Sequence, residues 1–410
     1  MNFKLILIIL IIIPIFSNAQ CNADLKKYST EFESINSNSF KFFDDVLEDI
    51  KIVGIGEKTH GTSQFTILPF ELMKYLNQEH NFKILILETG FSEGAYLNDY
   101  IQGKRDDLNY IVSEINSTWR YKTKSFIKYM QEIRAFNEIN DNKIVLYGCE
   151  MQWAKKDVDR IKDYLKKVKS SYEIDGFEKH LWQEITLAEK SDYYISYHKL
   201  RQYFNDNERP FISMTSKSEF DLINHCIDIL GQFSTAINQN VEQRKHDFRE
   251  IYMLENIEWI LEYEGVNSKA LYWAHNGHVG NMTVNNTANS TGSLLKNVFA
   301  EKYYSIATDF GSGQFRAFSA DWKMKINDLP PIEPHSFTAC IKNLSSNNLF
   351  INIRLAKNDD ELIPFFKNPV IIMSGAGAQV SPKPTTTMNI SKEFDGIIFL
   401  QKSSAIIWME

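Results

Sequence analysis

Apolar residues along this chain gather in short unbroken runs that alternate with longer stretches of helical spacing. Lys51 to Gly56 (Lys-Ile-Val-Gly-Ile-Gly) is an apolar run ending in glycines, the pattern of a buried strand. Leu68 to Leu76 places apolar residues at helical intervals, and Phe82 to Leu87 (Phe-Lys-Ile-Leu-Ile-Leu) predicts a second strand. A helical stretch through Tyr96 and Tyr100 follows, then another over Phe126 to Phe136 with Met130 and Ile133 on its apolar side. Lys143 to Tyr147 predicts a third strand. Strand–helix–strand order with apolar strands implies a parallel sheet covered on both faces.

The middle of the chain changes character. From about residue 155 to 264 helical periodicity dominates and strand signal is almost absent. Val158, Ile161, Tyr164 and Leu165 open this block, and Phe248 to Leu261 closes it. It predicts a helical insertion or cap over 155–265, dividing an α/β body into parts at 45–154 and 266–410 after a lead-in at 20–44. Strands resume at Lys269 to Trp273 and Tyr303 to Thr308, with further candidates at Val370 to Met373 and Gly396 to Leu400. There is no internal repeat.

The amino-terminal end follows a different pattern. Lys4 precedes an apolar run from Leu5 to Phe16, broken by Pro14, and Ser17-Asn18-Ala19 supplies the small residues a signal peptidase reads. That run is too short for a bilayer of about 30 Å, which takes roughly 20 helical residues. Residues 1–19 therefore read as a cleaved secretory signal, and the expected location is periplasmic or secreted. Cys21 raises lipid anchoring as an alternative, for which Gln20 is a poor preceding residue. No later segment is apolar enough to cross a membrane.

Composition narrows the partners. With 43% hydrophobic and 13% aromatic residues in 410, the chain is globular rather than disordered. Its formal charge of −7 offers no basic footprint for nucleic acid. The four cysteines (Cys21, Cys149, Cys226, Cys340) form no short-spaced pair, so neither a zinc knuckle nor a dense disulfide scaffold is indicated. Any of three pairings is open in an oxidising compartment, and Cys149 and Cys226 lie in apolar stretches suited to buried thiols.

The chemistry should lie where the strands end, because ligands of open parallel sheets bind beyond the carboxyl ends of the strands. The first strand runs into Gly56-Glu57-Lys58-Thr59-His60-Gly61-Thr62, the second into Glu88-Thr89-Gly90, and the third into Gly148-Cys149-Glu150. The Lys269 strand ends in Ala274-His275-Asn276-Gly277-His278. One such residue is commonly structural; the repetition along one edge predicts a cleft. There His60 can take a proton from water if a carboxylate orients its ring. His275 or His278 can donate to a carbonyl oxygen as negative charge develops.

Two other readings use the same region. His and Glu are competent ligands for zinc, iron or a haem, although the spacing of His275 and His278 at a strand end lacks the force of a helical His-Glu-x-x-His. Gly90-Phe91-Ser92-Glu93-Gly94 matches the G-x-S-x-G elbow of serine hydrolases, with Ser92 as nucleophile. Its bland counterpart is a turn in which Ser92 caps the following helix. The Asn/Thr/Ser-rich stretch from Asn281 to Gly292 reads as a loop placed to act as a lid.

Taken together, Gly-Glu-Lys-Thr-His-Gly-Thr at 56–62, Glu88, and Trp-Ala-His-Asn-Gly-His-Val at 273–279 resemble the erythromycin esterase family. Trp119 with Thr123, Arg134 and Asn137 resembles that family's tryptophan-bearing helix. Arg249-Glu250 with Met253, Glu255 and Asn256, and Phe394-Asp395-Gly396-Ile397-Ile398, are similar to two further segments. The resemblance runs from about residue 40 to the end. It implies a three-layer α/β body with a helical domain and a small second α/β element. The implied activity is metal-independent and cofactor-free hydrolysis of an ester or macrolide lactone, a small-molecule substrate, with a role in antibiotic resistance. It further implies His60 as base, Glu57 and Glu88 as orienting carboxylates, and His275 or His278 at the oxyanion. Arg249 is implied for substrate or carboxylate pairing, and Trp119 for the substrate site. Ser63-Gln64 stand where the family has Arg-Glu, Ser125 where it has Glu, and Glu150 where it has Asp. These departures bear on macrolide specificity, and those at Ser63-Gln64 and Ser125 are the support for a non-catalytic envelope-binding reading.

Overall fold

The structure of the chain, a computed structural model, describes residues 24–239, 242–284, 288–373 and 377–409. The leader expected at 1–19 and Cys21 lie outside the described residues. An eight-stranded sheet organises the molecule. Its strands are β1 (Ser29–Phe32), β2 (Ile52–Glu57), β3 (Ile84–Gly90), β4 (Val145–Glu150), β5 (Ala270–His275), β6 (Tyr303–Phe310), β7 (Asn348–Asn352) and β8 (Gly396–Leu400). In space the order is β1-β7-β8-β6-β2-β5-β3-β4. From β8 through β4 all neighbours are parallel, while β7 runs antiparallel to both β8 and β1. A large, mainly parallel sheet in a mixed α/β fold is what the apolar strands predict.

Alternate strand residues feed two cores, as the two-residue period of a strand demands. Ile84, Ile86 and Tyr272 face one core; Leu85, Leu87 and Trp273 face the other. The second core is closed by the helices Ser63–His80 and Lys124–Ile139, through Phe70, Met73, Phe126 and Met130. The first is closed by the helical block: Lys155–Lys167, Leu187–Met214, Lys217–Ile237 and Glu242–Tyr263, with Val158, Leu230 and Ile257 among the buried contributors. No strand interrupts this block among the described residues. Its helices form an outer layer that shares a core with the sheet.

The strands β1 and β7 escape the hydrophobic pattern for a simple reason. β1 is an edge strand with only Phe32 buried, and β7 is a three-residue apolar run flanked by Asn348 and Asn352. Beyond the sheet lie two antiparallel hairpins, Gln314–Phe318 with Met324–Asp328 and Val370–Met373 with Thr385–Met388. The sequence places Val370–Met373 among the body strands, but it pairs only in its own hairpin, outside the large sheet.

A carboxyl-terminal strap, residues 403–409, binds these pieces to the strand ends. Gly61 accepts from the backbone N–H groups of Arg316 and Ile406, both at 3.0 Å. Lys124 donates to Ile407, and Met409 donates to Lys122. The approach at Gly61 is so close that a Cβ there would lie 1.8 Å from the Arg316 carbonyl oxygen, so no side chain fits. Cys149 and Cys226 are free and buried, and Cys340 is disulfide-bonded. No helix of the described residues is long and apolar enough to cross a membrane.

Candidate active site

Every residue of β2 is buried, and Glu57 is its last residue, opposite His275 of β5 in the parallel register. The chain then leaves the sheet, and the turn Lys58-Thr59-His60 folds the imidazole back so that its Nδ1 bonds the Glu57 carboxylate. Lys58 points to the other side and pairs with Asp309. Glu57 is 2% exposed, and a carboxylate buried that deeply requires compensating charge. Burial alone raises its pKa, but Arg120 and His60 overcome that and hold it below the ordinary carboxylate range.

Arg120 is the member of the site that the strand-end reading misses, because it comes from the loop before the Lys124–Ile139 helix. Its Nη1 pairs with Glu57 and lies 3.2 Å from Glu88 Oε2 and 3.0 Å from His60 Nδ1. Its Nη2 donates to the Tyr121 hydroxyl at 2.6 Å, and the guanidinium lies 4.7 and 5.2 Å from the ring centres of Tyr121 and Trp273. A sequence signal existed: a lone arginine between Trp119 and Tyr121, in a segment whose neighbours supply apolar helix faces.

Glu88 lies near the carboxyl end of β3, between two guanidinium groups. Its Oε1 accepts from Arg249 Nη2 at 2.8 Å, and its Oε2 accepts from the His275 backbone N–H at 3.0 Å. Burial raises its pKa, yet Arg120, His278, Arg249 and His60 together carry it well below the usual range. Glu88 therefore does not orient the His60 ring. That contact belongs to Glu57, and Glu88 anchors two arginines and the end of β5.

The two later histidines are held in opposite ways. His275 Nδ1 accepts from the Gly277 N–H at 3.1 Å, which leaves the proton on Nε2, 3.3 Å from the Lys58 carbonyl oxygen. Burial, with the nearby His60 and His278, lowers its pKa to about 3, so the ring is neutral. Its centre lies 5.3 Å from that of His60. A Cβ placed on Gly377 would be 3.9 Å from both Nε2 atoms, so the two nitrogens face one spot bordered by that glycine. His278, on the short Asn276–Val279 turn of helix, has both ring nitrogens set against charged side chains. Nδ1 is 2.7 Å from Glu250 Oε1, and Nε2 is 3.0 Å from Arg249 Nη1 and 3.4 Å from Glu88 Oε1. Burial lowers its pKa, but Glu250 and Glu88 outweigh burial and Arg249, and the net shift is upward.

Arg249 also donates through Nε to Glu150 at 2.8 Å, so its guanidinium serves two carboxylates and abuts one imidazole. Glu250 receives the N–H and hydroxyl of Thr291, both at 2.7 Å. Thr291 and Gly292, at the end of the expected lid stretch, are buried in the first turn of a helix, Thr291–Phe299, and support His278 through Glu250. Trp119 sits in a loop, not a helix, with its ring centre 6.3 Å from that of His60. Arg134 and Asn137 lie elsewhere: Arg134 pairs with Asp106 and Asn137 ties its helix to the Ile144 backbone.

The serine elbow is overturned by burial. Ser92 is fully buried inside the first turn of the Phe91–Ile101 helix, whose N-cap is Gly90. Its hydroxyl donates to Asp157 at 2.6 Å and touches Cys226, on the helical-block side of the sheet and away from all three histidines. The departures at Ser63-Gln64 have a structural use. Gln64 accepts from the Ser403 hydroxyl and the Ser404 N–H at 2.8 and 2.7 Å, and Ser63 donates to the Ala405 carbonyl, so both hold the strap. Nothing in the structure explains Ser125. The carboxylate oxygens of Glu57, Glu88 and Glu150 are turned toward guanidinium groups, and His278 toward Glu250 and Arg249. Among the described residues no group of three or more His, Cys, Asp or Glu is arranged to hold a metal ion.

A deep sheet edge carrying a His–Glu pair, a neutral second imidazole and a buried ionic network fits a hydrolase that works on acyl carbons. The family model for erythromycin esterase matches residues 77–403, and the chain belongs to that hydrolase family. Erythromycin esterase type II of Escherichia coli is 20% identical over 90% of this chain and 93% of its own length. A solved Bacillus cereus structure superimposes with a TM-score of 0.83 at 22% identity, covering 96% of this chain and all of that one. An erythromycin esterase mutant solved in its open conformation gives 0.65 at 15% identity, over 92% of this chain and 98% of its own. The structural likenesses establish the fold.

Proposed function

We propose that this protein is an exported hydrolase of an ester or a macrolide lactone, in which His60 activates water. One observation carries the reading: His60 Nδ1 is bonded to the buried Glu57 carboxylate while its Nε2 faces the same spot as His275 Nε2. Glu57 fixes the tautomer that leaves Nε2 free to accept a proton, and it stabilises the imidazolium that forms. Water loses its proton to Nε2 as its oxygen bonds the acyl carbon. The carbonyl becomes an oxyanion, toward which the neutral His275 offers Nε2–H. Collapse breaks the acyl C–O bond, and the proton on His60 passes to the departing alkoxide. Glu88 and Arg249 act through others: they hold Arg120, the end of β5 and His278 in place. Trp119 borders the substrate beside His60. No residue of this scheme calls for a cofactor.

Mass measurement of a macrolide or simple ester incubated with the protein tests the proposal. Gain of one water mass by the lactone, lost in His60→Ala, supports it; a phosphate or acetyl adduct assigns a different reaction. Equal background rates from wild type and His60→Ala would favour a binding protein that has lost turnover. Export is tested separately, by fractionation and by the amino-terminal sequence of the protein recovered from outside the cytoplasm. A blocked, lipid-modified Cys21 would replace secretion with anchoring.

A further inference from the structure

Aromatic rings lead outward from the catalytic imidazole to the protein surface. Trp119, edge-on to His60, contacts Phe318 with ring centres 6.0 Å apart and Trp408 at 6.4 Å. Phe318 in turn contacts Trp322 at 5.6 Å. Trp322 is 67% exposed and Trp408 37%, so the row ends in large apolar faces left to water. Exposed indole faces beside a reactive centre are a binding feature more often than an accident of folding.

Two further observations show that the row is built rather than incidental. The backbones that carry it are cross-linked to the active-site turn. Phe318 exchanges hydrogen bonds with Ala378 and Val380, next to Gly377, and the strap places Trp408 in a bridge with Thr123. Arg316, bonded through its backbone to Gly61 and through Nε to Ile406, sets its guanidinium 5.2 Å from the Trp408 ring centre. Trp322 itself occupies left-handed backbone, with φ of 56°, at the tip of the Gln314–Phe318 hairpin. A bulky side chain is rare in that region, where Gly or Asn would sit without strain, and such outliers gather at ligand clamps.

We infer that Trp119, Phe318, Trp322 and Trp408 form an extended subsite for the non-reacting part of the substrate, resting on the hydrolase reading above. The ligand chemistry is a saturated ring with an apolar C–H face and a hydroxylated rim, either a macrolactone or an acylated pyranose. Flat π faces cover the C–H side, and the rim remains hydrated. Binding energy from this remote part helps hold the acyl carbon against His60.

The test compares a macrolide and a monoacetylated pyranose with 4-nitrophenyl acetate, which carries no saturated ring. In Trp322→Ala and Trp408→Ala the ratio of kcat/KM for the ring-bearing ester to that for the small ester should fall about tenfold, and Trp322→Phe should restore most of it. A second arm is independent of turnover. Calorimetric titration of His60→Gln with each ring-bearing ligand should show affinity weakened about tenfold when Trp322→Ala is added. Which ligand shows the dependence identifies the ring. Affinity that depends on Trp322 in a protein without hydrolytic activity would retain the subsite and discard the hydrolase reading. An unchanged ratio with unchanged affinity, in a variant of wild-type melting temperature, overturns the subsite.

Discussion

His275 and His278 stand three residues apart at one sheet edge, and the fold puts them in opposite states. His275 sits against His60 and a backbone carbonyl, with no carboxylate among the described residues bonded to its ring; burial dominates and the ring is neutral. His278 lies between Glu250, Glu88 and Arg249, and two carboxylates outweigh the same burial. One half of the edge thus holds its imidazole through backbone groups alone, with Nε2 at a long 3.3 Å from the Lys58 carbonyl, and the other half sets its ring nitrogens against charged side chains. A histidine's chemistry here follows from which carboxylate reaches it, more than from how deeply it lies.

Breaking the first half should abolish chemistry and leave the fold intact. His60→Ala is expected to lower kcat by about 10²–10⁴ with an unchanged melting temperature, measured on any ester the wild type turns over. A comparable loss of stability would mean that His60 is structural. Breaking the second half should do the reverse. Arg249→Met leaves Glu88 and Glu150 without their shared cation, and urea unfolding should show a loss of about 3 kcal/mol or more. Full stability in that variant would show that the network is not held by charge.

The contrast between the two histidines can be sharpened by pH. His275 is depressed in the folded protein, so between about 6.5 and about 3 the unfolded chain binds a proton that the native ring refuses. Stability should therefore be lost as pH falls through that window, and His275→Asn should reduce the slope by about one proton. His278 is raised, so its contribution is present below about 6.5 and lost as pH rises through its folded value. If His278→Asn flattens the acid window instead, the assignment of the two states is reversed. The smallest effect is expected from Ser92→Ala. It removes one buried hydrogen bond to Asp157, costing about 1 kcal/mol in urea unfolding, with hydrolysis unchanged. Loss of hydrolysis would revive the serine mechanism.

Legibility from sequence tracks the range of the interaction responsible. Ile52-Val53-Gly54-Ile55 and Ile84 to Leu87 announce themselves as strands because a parallel strand is buried on both faces and must be apolar throughout. The edge strand Ser29–Phe32 has no such requirement and leaves no pattern. Glu57, His60, Glu88, His275 and His278 were visible as polar residues closing apolar runs. Arg120 was not, since it arrives from a loop and its place beside Glu57 and Glu88 depends on how Tyr121 and Trp273 pack. Ser92 misled because a five-residue pattern does not say which side of the sheet a helix turn faces.

Local sequence thus determined the alternation of strands and helices, the sheet edge that gathers histidines and glutamates, and the family to which the chain belongs. Tertiary structure alone decided which carboxylate serves which imidazole, which ring keeps a free nitrogen, and which serine is buried. The reason is physical. Strand and helix formation respond to neighbours a few residues away, whereas the charge state of a buried group is set by charges within a few ångströms, wherever in the chain they originate.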